Sequence, residues 1–574
     1  MKIDVKKLGY RWKGNHTATA SYERGDVVRM KGVIKYHDGS NFVTMVDGQN
    51  EMLIKGALAA NNTAAGFPIP VAGLPDMILG VGNGVMEFQF SDGRNSTAVR
   101  KLAKTLGGRY GGCEGRAGHQ TMFAIMTDGT VRCWGDNSNS KLGVGIGSQN
   151  ATLPEKVAFP TDAAPIVEVY AGSHYSNAAI DAKGVLWGWG YNGLYQMGKE
   201  GDTTIVYTPE KINGRGDIPE DAVIVDFFQT SVAGDNYSTI YISNWALDSK
   251  GNLYGWGSNT YGMTGVESTE TTIQKPTLVP LSQDVNIKKV ISFGNRIMAS
   301  FFITDVGHMY EVGARGSIAS DNAYLTATDS RPALWNPSTY DPVKKVVWSQ
   351  GRYSTTTSSY YDRRMLLTEN GKIYTWGDSV NGLVQTDVPT YLNTRLAAHD
   401  SRIDDVKDCG VKAGIGQSQY VLKNDGTVWG IGYVTDIDPS DNTIMPSLYN
   451  VWTQLNYGSD NSEMIVQGDV GSAYNQYYAG ILLKKNDGTL FITGYWRNGL
   501  SYTGGGNDQS SNNQKAFSIV RLPKAVDEYE ILGGDNMNCL FSLIDGVLYS
   551  AGWGYALGNE DNNTDRYTMS QVIF

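Results

Sequence analysis

The 574-residue sequence predicts an all-β chain, a β-propeller of eight four-stranded blades, with seven as the alternative, preceded by a small β-rich N-terminal module. Three observations predict it. The stretch "AGHQTMFAIMTDGTVRCWGDNSNSKLG" recurs as "GSHYSNAAIDAKGVLWGWGYNGLYQMG" and "STIYISNWALDSKGNLYGWGSNTYGMTG", and weaker copies follow it along the chain. The copies share a turn glycine at Gly129, Gly184, Gly251, Gly307, Gly371, Gly426, Gly488 and Gly546, spaced 55 to 67 residues apart. The composition, 69 glycines against 17 prolines with 34 Tyr and 13 Trp, is that of a turn-dense folded β protein.

Each unit follows the same local physics. An alternating run such as "TMFAIM" leads into Asp-Gly, Asn-Gly or Lys-Gly, where glycine takes positive φ at little steric cost, and "TVRCWG" returns antiparallel. The glycine after Trp134, Trp189, Trp256 and Trp376 lets a neighbouring backbone approach while the indole covers the packing face, so these tryptophans read as core. Downstream come an Asn-, Gly-, Ser- and Asp-rich loop and a Pro-led strand: "LPEKVAF", "TPEKING", "KPTLVPL", "LPKAVDE". Upstream lies another apolar strand: "IVEVYAG", "VIVDFFQT", "IKKVISFG", "YEILGGD". One four-stranded sheet cannot bury both faces alone, and radial stacking of such sheets does so. The unit "FFITDVGHMYEVGARG" has Glu311-Val312-Gly313 in place of Trp-Gly and is the expected irregular blade. The final "MSQVIF" is expected to complete the last blade or to pair with the first.

This repeat resembles that of the regulator of chromosome condensation family, which runs Gly, His-Ser, an apolar strand, Asp-Gly, an apolar step, Trp-Gly, Asn, then Gly-Gln-Leu-Gly. Residues 118–143 and 172–198 match best, with His119 and His174 ten positions before the turn glycine. The resemblance covers residues 106–574 and implies an RCC1-like propeller. Because the matching residues build hairpins, it implies for function only a protein-interaction platform or a guanine-nucleotide exchange factor, and no residue identifies the exchange surface.

Residues 1 to about 105 lack the repeat, and 1–53 read as a small module. Their "GYRWKGNHTATASYERGDVVRMKGVIKYHDGSNFVTM" fits three short strands and resembles the small chitinase-type carbohydrate-binding module that also occurs in phage tail-fibre proteins. The resemblance implies Trp12, Tyr22 or Tyr36 as a flat sugar-binding face; a module this small also needs its aromatics as a core. His16 reads as a solvated loop residue. Residues 54–105 read as a linker, rich in small residues, glycine and proline, with a short β segment at "GVMEFQFSDGR". The propeller is expected over 106–574.

A net charge of −10 with no Lys/Arg block argues against a broad nucleic-acid-binding face. There is no apolar run of membrane-spanning length, and the N-terminal "MKIDVKKLGYRWKGNH" has no apolar segment of signal-peptide type. Cys113, Cys133, Cys409 and Cys539 form no CxxC pair and read as buried thiols, with a bridge from Cys113 or Cys133 to Cys539 as the alternative. Six scattered histidines give no metal cluster, and neither a metal nor a cofactor is expected. GxSxG, HExxH and phosphate-loop motifs are missing, and the acid pairs Asp404/Asp405 and Asp436/Asp438 sit in turn-like surroundings, so no enzyme is expected. "NEDNNTDR" at 559–566 reads as a solvated loop rather than a calcium site, and Arg215-Gly216-Asp217 as a chance tripeptide.

The expectation is a bacteriophage virion structural protein: a tail-fibre, receptor-binding or head-surface component, assembled in the host cytoplasm. Its N-terminal region would attach to other virion proteins and its loops would meet a host glycan or protein receptor. A platform or exchange factor, and an extracellular carbohydrate binder, are the alternatives. Oligomeric state and host are not encoded in any legible feature, since no heptad run of useful length is present.

Overall fold

The protein is described as a computed structural model. It describes residues 99–105, 121–145, 149–172, 176–233, 240–280, 287–293, 299–313, 333–335, 341–354, 359–377, 400–412, 418–440, 444–467, 480–495, 513–534, 537–552, 557–558 and 566–574, with gaps at 306, 308 and 573, and the backbone of eight strands between 11 and 97.

Eight sheets follow one another along the chain, and each is an antiparallel meander. The first comprises Val99–Leu102, Thr121–Met126, Val131–Gly135 and Ala151–Lys156, and the second Ile166–Ala171, Ser176–Asp181, Leu186–Gly190 and Val206–Lys211. The last comprises Glu528–Gly534, Met537–Ile544, Val547–Gly552 and Arg566–Gln571. The first strands of successive sheets pack on one another and are therefore innermost, while the fourth strands lie outside. Val99–Leu102 supplies the inner strand of blade 1, so the ring draws on residues ahead of position 106. Lys104–Thr105 continues from it and pairs in parallel with the inner strand of blade 2.

The ring has eight blades, and one hydrogen bond repeats around it. The residue at the head of a blade's inner strand, or in blade 8 two positions ahead of it, donates its N–H to the carbonyl of the previous blade's turn glycine. The bonds are Ile166 to Gly129 (2.9 Å), Ile224 to Gly184 (2.8 Å), Val343 to Gly307 (3.0 Å), Val406 to Gly371 (3.1 Å), Asn461 to Gly426 (3.3 Å) and Val526 to Gly488 (3.3 Å). Blades 3 and 4 meet through Ile224–Ala233 and Ile287–Phe293. The series closes with Val99 donating to Gly546 at 2.9 Å, so blade 8 hands over to blade 1 by the same bond as at six other joints. The turn glycine thus serves more than its own hairpin. Gly129 has φ +80°, and a Cβ on it would stand 2.4 Å from Pro165 Cβ of the following blade.

The third-strand tryptophans are core, as the sequence predicts for Trp134, Trp189 and Trp256, all 0% exposed. Trp189 donates its indole N–H to Lys141 O of the preceding blade (2.8 Å), and Trp256 does the same to Gln196 O (2.9 Å). Trp134 occupies the corresponding place at the closing joint, edge-on to Phe541 (6.0 Å) and Phe574 (5.8 Å). Trp376 lies on the strand Ile373–Gly377, but its side chain is outside the described residues.

Several sequence expectations change. Of the two alternatives for "MSQVIF", the first holds: Arg566–Gln571 completes blade 8, and the end of the segment meets blade 1 through side chains, Val572 and Phe574 packing into the cluster around Trp134. The unit with Glu311-Val312-Gly313 is not irregular in pairing, because the ladder is a backbone property and Ala299 opposes Gly313 just as Ser176 opposes Gly190. The three-stranded sheet, among the described residues, is blade 5 (Val343–Ser354, Ser359–Thr368, Ile373–Gly377). "LPKAVDE" is no outer strand. Asn513–Ile519 fills that place in blade 7, and the Pro-led stretch is the link into Glu528–Gly534. In blade 6 the third and fourth strands extend to Val428–Ile437 and Ile444–Gln454, which replaces the usual loop with a hairpin.

Ahead of the ring, the N-terminal segment forms four strands rather than three, Arg11–Asn15, Asp26–Met30, Val33–His37 and Phe42–Val46, and the first two are parallel. The extra strand is Phe42–Val46, whose apolar alternation pairs with Val33–His37. A second sheet follows with Pro68–Ile69, Met77–Gly82, Val85–Phe90 and Asn95–Thr97.

The bridge from Cys133 to Cys539 does not form. Cys133, Cys409 and Cys539 are free and buried, and Cys113 is outside the described residues. Burial pushes the Cys409 thiol up to about 12 and the Cys133 thiol well above its ordinary value. The nucleophilic thiolate is therefore suppressed in the native protein. Iodoacetamide at pH 8 is expected to leave these three cysteines unlabelled until denaturant is added, which peptide mass spectrometry reads directly.

Candidate functional site

The strand order gives the ring two unlike faces. One carries the Asp-Gly hairpin turns and the links between blades; the other carries the loops that follow the third strands.

On the loop face, the Asn-rich composition turns out to be partly scaffold. Asn137, Asn192 and Asn259, each three residues after the tryptophan, are buried. Asn192 Oδ1 accepts from Met197 N (2.9 Å) while its Nδ2 donates to Asp202 O (2.8 Å). Asn259 makes the same pair of bonds with Thr264 N (3.2 Å) and Glu270 O (2.9 Å), and Asn137 accepts from Leu142 N (3.0 Å). The carboxamides of Asn192 and Asn259, buried and bonded on both sides, hold their loops in one shape, because breaking either bond leaves a buried polar atom unpaired. These loops present fixed surfaces.

The loop of blade 1 also buries an ion pair, Lys141 with Asp136. Burial pulls the Lys141 ammonium down to about 8, against the opposing pull of Asp136. The unfolded chain then holds more protons than the native one between pH 8 and the ordinary lysine value, so this group's contribution to stability rises with pH across that window. Lys141→Met removes that slope and leaves Asp136 buried without its counter-charge, with an expected loss of about 3–5 kcal/mol at pH 7. Urea denaturation of both proteins at pH 7.5 and pH 10 checks it: the gap between them should widen at the higher pH.

The hairpin face surrounds one mouth of the central channel. The third residue of the inner strand is charged in blades 1 to 7, as Lys101, Glu168, Asp226, Lys289, Lys345, Asp408 and Glu463, and in blade 8 the first strand residue, Glu528, stands two positions after Val526, the donor to Gly488. Most of the described ones bond across a joint. Lys101 pairs with Glu168, and Lys345 with Asp408 (2.5 Å). Asp226 accepts from Tyr170 Oη (2.9 Å), Glu463 from Tyr529 Oη (2.8 Å), and Glu528 from Leu102 N (3.2 Å). Burial, then Asp226 and Glu168, hold the Tyr170 phenol well above its ordinary value, so it stays a donor at neutral pH.

The remaining sequence candidates fall as follows. Trp12 and Tyr36 lie on strands but their side chains are outside the described residues, as are all of Tyr22, His16, His119, His174 and nearly all of 559–566. Asp436 is buried and accepts from Ile437 N (2.8 Å), Asn456 N (2.9 Å) and Tyr449 Oη (3.0 Å), while Asp438 caps its own turn through Ser440. Asp404 pairs with Lys423, and Asp405 accepts from Asn424. The Arg215-Gly216-Asp217 tripeptide braces blade 2 against blade 3: Arg215 donates to Met197 O (2.5 Å) and Asp217 accepts from Leu278 N (2.8 Å). Among the described residues no group of three or more His, Cys, Asp and Glu is placed to hold a metal ion, and no helix is long and apolar enough to cross a membrane.

Fold and faces define a closed eight-bladed propeller with a fixed polar surface at one end and a charged collar at the other. The Regulator of chromosome condensation (RCC1) repeat matches residues 128–179 and 250–299. Each match runs from a hairpin turn into the next blade's second strand, so the sequence repeat straddles a joint instead of coinciding with a blade. The chain is 29% identical over 188 residues to the ultraviolet-B receptor UVR8 of Arabidopsis thaliana, covering 26% of this chain and 42% of UVR8. It is 28% identical over 198 residues to the human E3 ubiquitin-protein ligase HERC2, covering 34% of this chain and 4% of HERC2. It thus spans less than half the length of either relative. Among solved structures it is similar to Prp20p from Saccharomyces cerevisiae, at 16% identity and a TM-score of 0.43 over 79% of this chain and 88% of that one.

Proposed function

We propose that the protein is a protein-interaction platform, a rigid ring that acts by presenting surfaces rather than by chemistry. The observation that carries this reading is the way buried asparagines lock the loops after the third strands of blades 1 to 3, which gives one face a preformed polar surface. The RCC1 repeats and the relatives that share them, a light receptor and a ubiquitin ligase, support it. The test is capture of partners by the whole chain and by an Asn192→Ala/Asn259→Ala variant that loosens two loops. A partner held equally by both would overturn the assignment to this face.

The finer reading of that platform is a bacteriophage virion component, a tail-fibre, receptor-binding or head-surface protein displayed to the host. It rests on the N-terminal "GYRWKGN…GDVVRMKGVIKYHDG" segment, which would attach the ring to other virion proteins, with Trp12, Tyr22 and Tyr36 as its sugar-facing aromatics. Antibody labelling of purified particles and the position of the gene among capsid and tail genes test it. Unlabelled particles and a gene placed elsewhere would sink the virion reading and leave the platform standing.

A further inference from the structure

The charged collar has a second tier. In blades 1 to 7 the inner strand carries a bulge, and the residue skipped by the ladder is always the second: Arg100, Val167, Val225, Lys288, Lys344, Lys407 and Ser462. A bulge takes a residue out of the pairing, and here it does so near the start of each inner strand, at the end of the ring that carries the hairpin turns. Asp527 stands at the corresponding place before Glu528 in blade 8.

These bulge residues are sorted by arc. Blades 4, 5 and 6 place three lysines, Lys288, Lys344 and Lys407, at one register position in succession. Lys344 is exposed, and its ammonium reaches the backbone carbonyl of Lys407 at 2.8 Å, so neighbouring bulges lie within one side chain of each other. The adjoining arc is apolar: Val225 is 50% exposed, and so is Val223 of the same link at 46%. Past the lysines, blades 7 and 8 are acidic with Glu463, Asp527 and Glu528. In a chain of net charge −10, three aligned lysines beside two exposed valines make a local reversal of sign with an apolar border.

We propose that this mouth of the channel is a docking site for an acidic peptide segment carrying an apolar side chain, the carboxylates meeting Lys344 and Lys407 and the apolar group covering Val223 and Val225. It rests on the platform reading and names a partner class for the face opposite the locked loops. Charge complementarity selects the peptide over nucleic acid. On one side the basic arc gives way to the acidic blades 7 and 8, which repel a continuing phosphate backbone, and on the other to exposed valines, which offer nothing to one.

Fluorescence anisotropy with a short labelled peptide of alternating aspartate and leucine tests this on the full chain. Lys344→Glu/Lys407→Glu is expected to weaken binding about tenfold or more, and Val225→Ser to weaken it less. Lys211→Glu/Lys275→Glu, an equal charge change on outer strands, is expected to leave it unchanged. Near-UV circular dichroism verifies the fold of each variant, and Lys344→Gln/Lys407→Gln serves if the charge reversal fails to fold. Equal loss in the two lysine pairs, tighter binding of a single-stranded oligonucleotide than of the peptide, or no binding by the native chain would each overturn the proposal. None of these bears on partner capture by the loop face, so failure here is distinguishable from failure of the platform reading.

Discussion

Gly129→Ala is expected to destabilise the ring by about 2–5 kcal/mol, far more than an alanine in an ordinary surface turn. Two costs add. At φ +80° an L side chain sits in the left-handed region, at about 1–2 kcal/mol. The new methyl would also stand 2.4 Å from Pro165 Cβ and 2.9 Å from its Cα, and forcing a backbone aside costs about 1–3 kcal/mol more. Relief would come by moving Pro165, which precedes the donor of the bond from Ile166 to Gly129 and so loosens the joint between blades 1 and 2. The expected signature in thermal melts is a broadened transition as well as a lower midpoint. Asn424→Ala, in the exposed turn just before Gly426, is a fitting control and should change little. A loss below about 1 kcal/mol for Gly129→Ala would mean that the joint is slack.

The second large effect is at the closing joint. Trp134→Ala is expected to cost about 3–5 kcal/mol, the usual range for emptying a buried aromatic position. Trp134 packs with Leu102, Met122, Phe541, Leu557 and Val572, so the cavity would open between the first and last blades rather than within one. Trp189→Ala removes an equally buried ring from a joint whose two blades are also joined through the chain. Trp134→Ala is therefore expected to be the more damaging of the two by limited proteolysis, even where equilibrium losses are similar. Equal proteolytic resistance would overturn that reading.

Much of the ring could be read from residues because hairpin chemistry is local. Asp128-Gly129 before "TVRCWG" needs no knowledge of the rest of the chain to specify a turn, and repetition then implies radial stacking. What could not be read is what the glycine does at long range: its contact is with Pro165, and nothing near residue 129 announces it. "LPKAVDE" was misleading because proline is as well suited to a link between strands as to the head of one. Glu311-Val312-Gly313 looked irregular because the tryptophan is conspicuous, yet Trp packs joints and does not set strand register. The loop asparagines carried a signal that reading by composition passes over. Their constant offset of three residues from Trp134, Trp189 and Trp256 marks Asn137, Asn192 and Asn259 as structural. The collar was hidden for a different reason: its members are 55 or more residues apart, and only the strand register places them at one level.

The joint between Gly546 and Val99 has one further consequence. Blades 8 and 1 share no strand and no linking segment, so their association resembles the binding of two proteins, made efficient by a tether that runs the long way round through six other blades. The effective concentration of one partner for the other is set by how faithfully the seven joints along that route keep their angle. A small error at each accumulates at the last, so any strain introduced elsewhere in the circle is felt first as a gap beside Trp134.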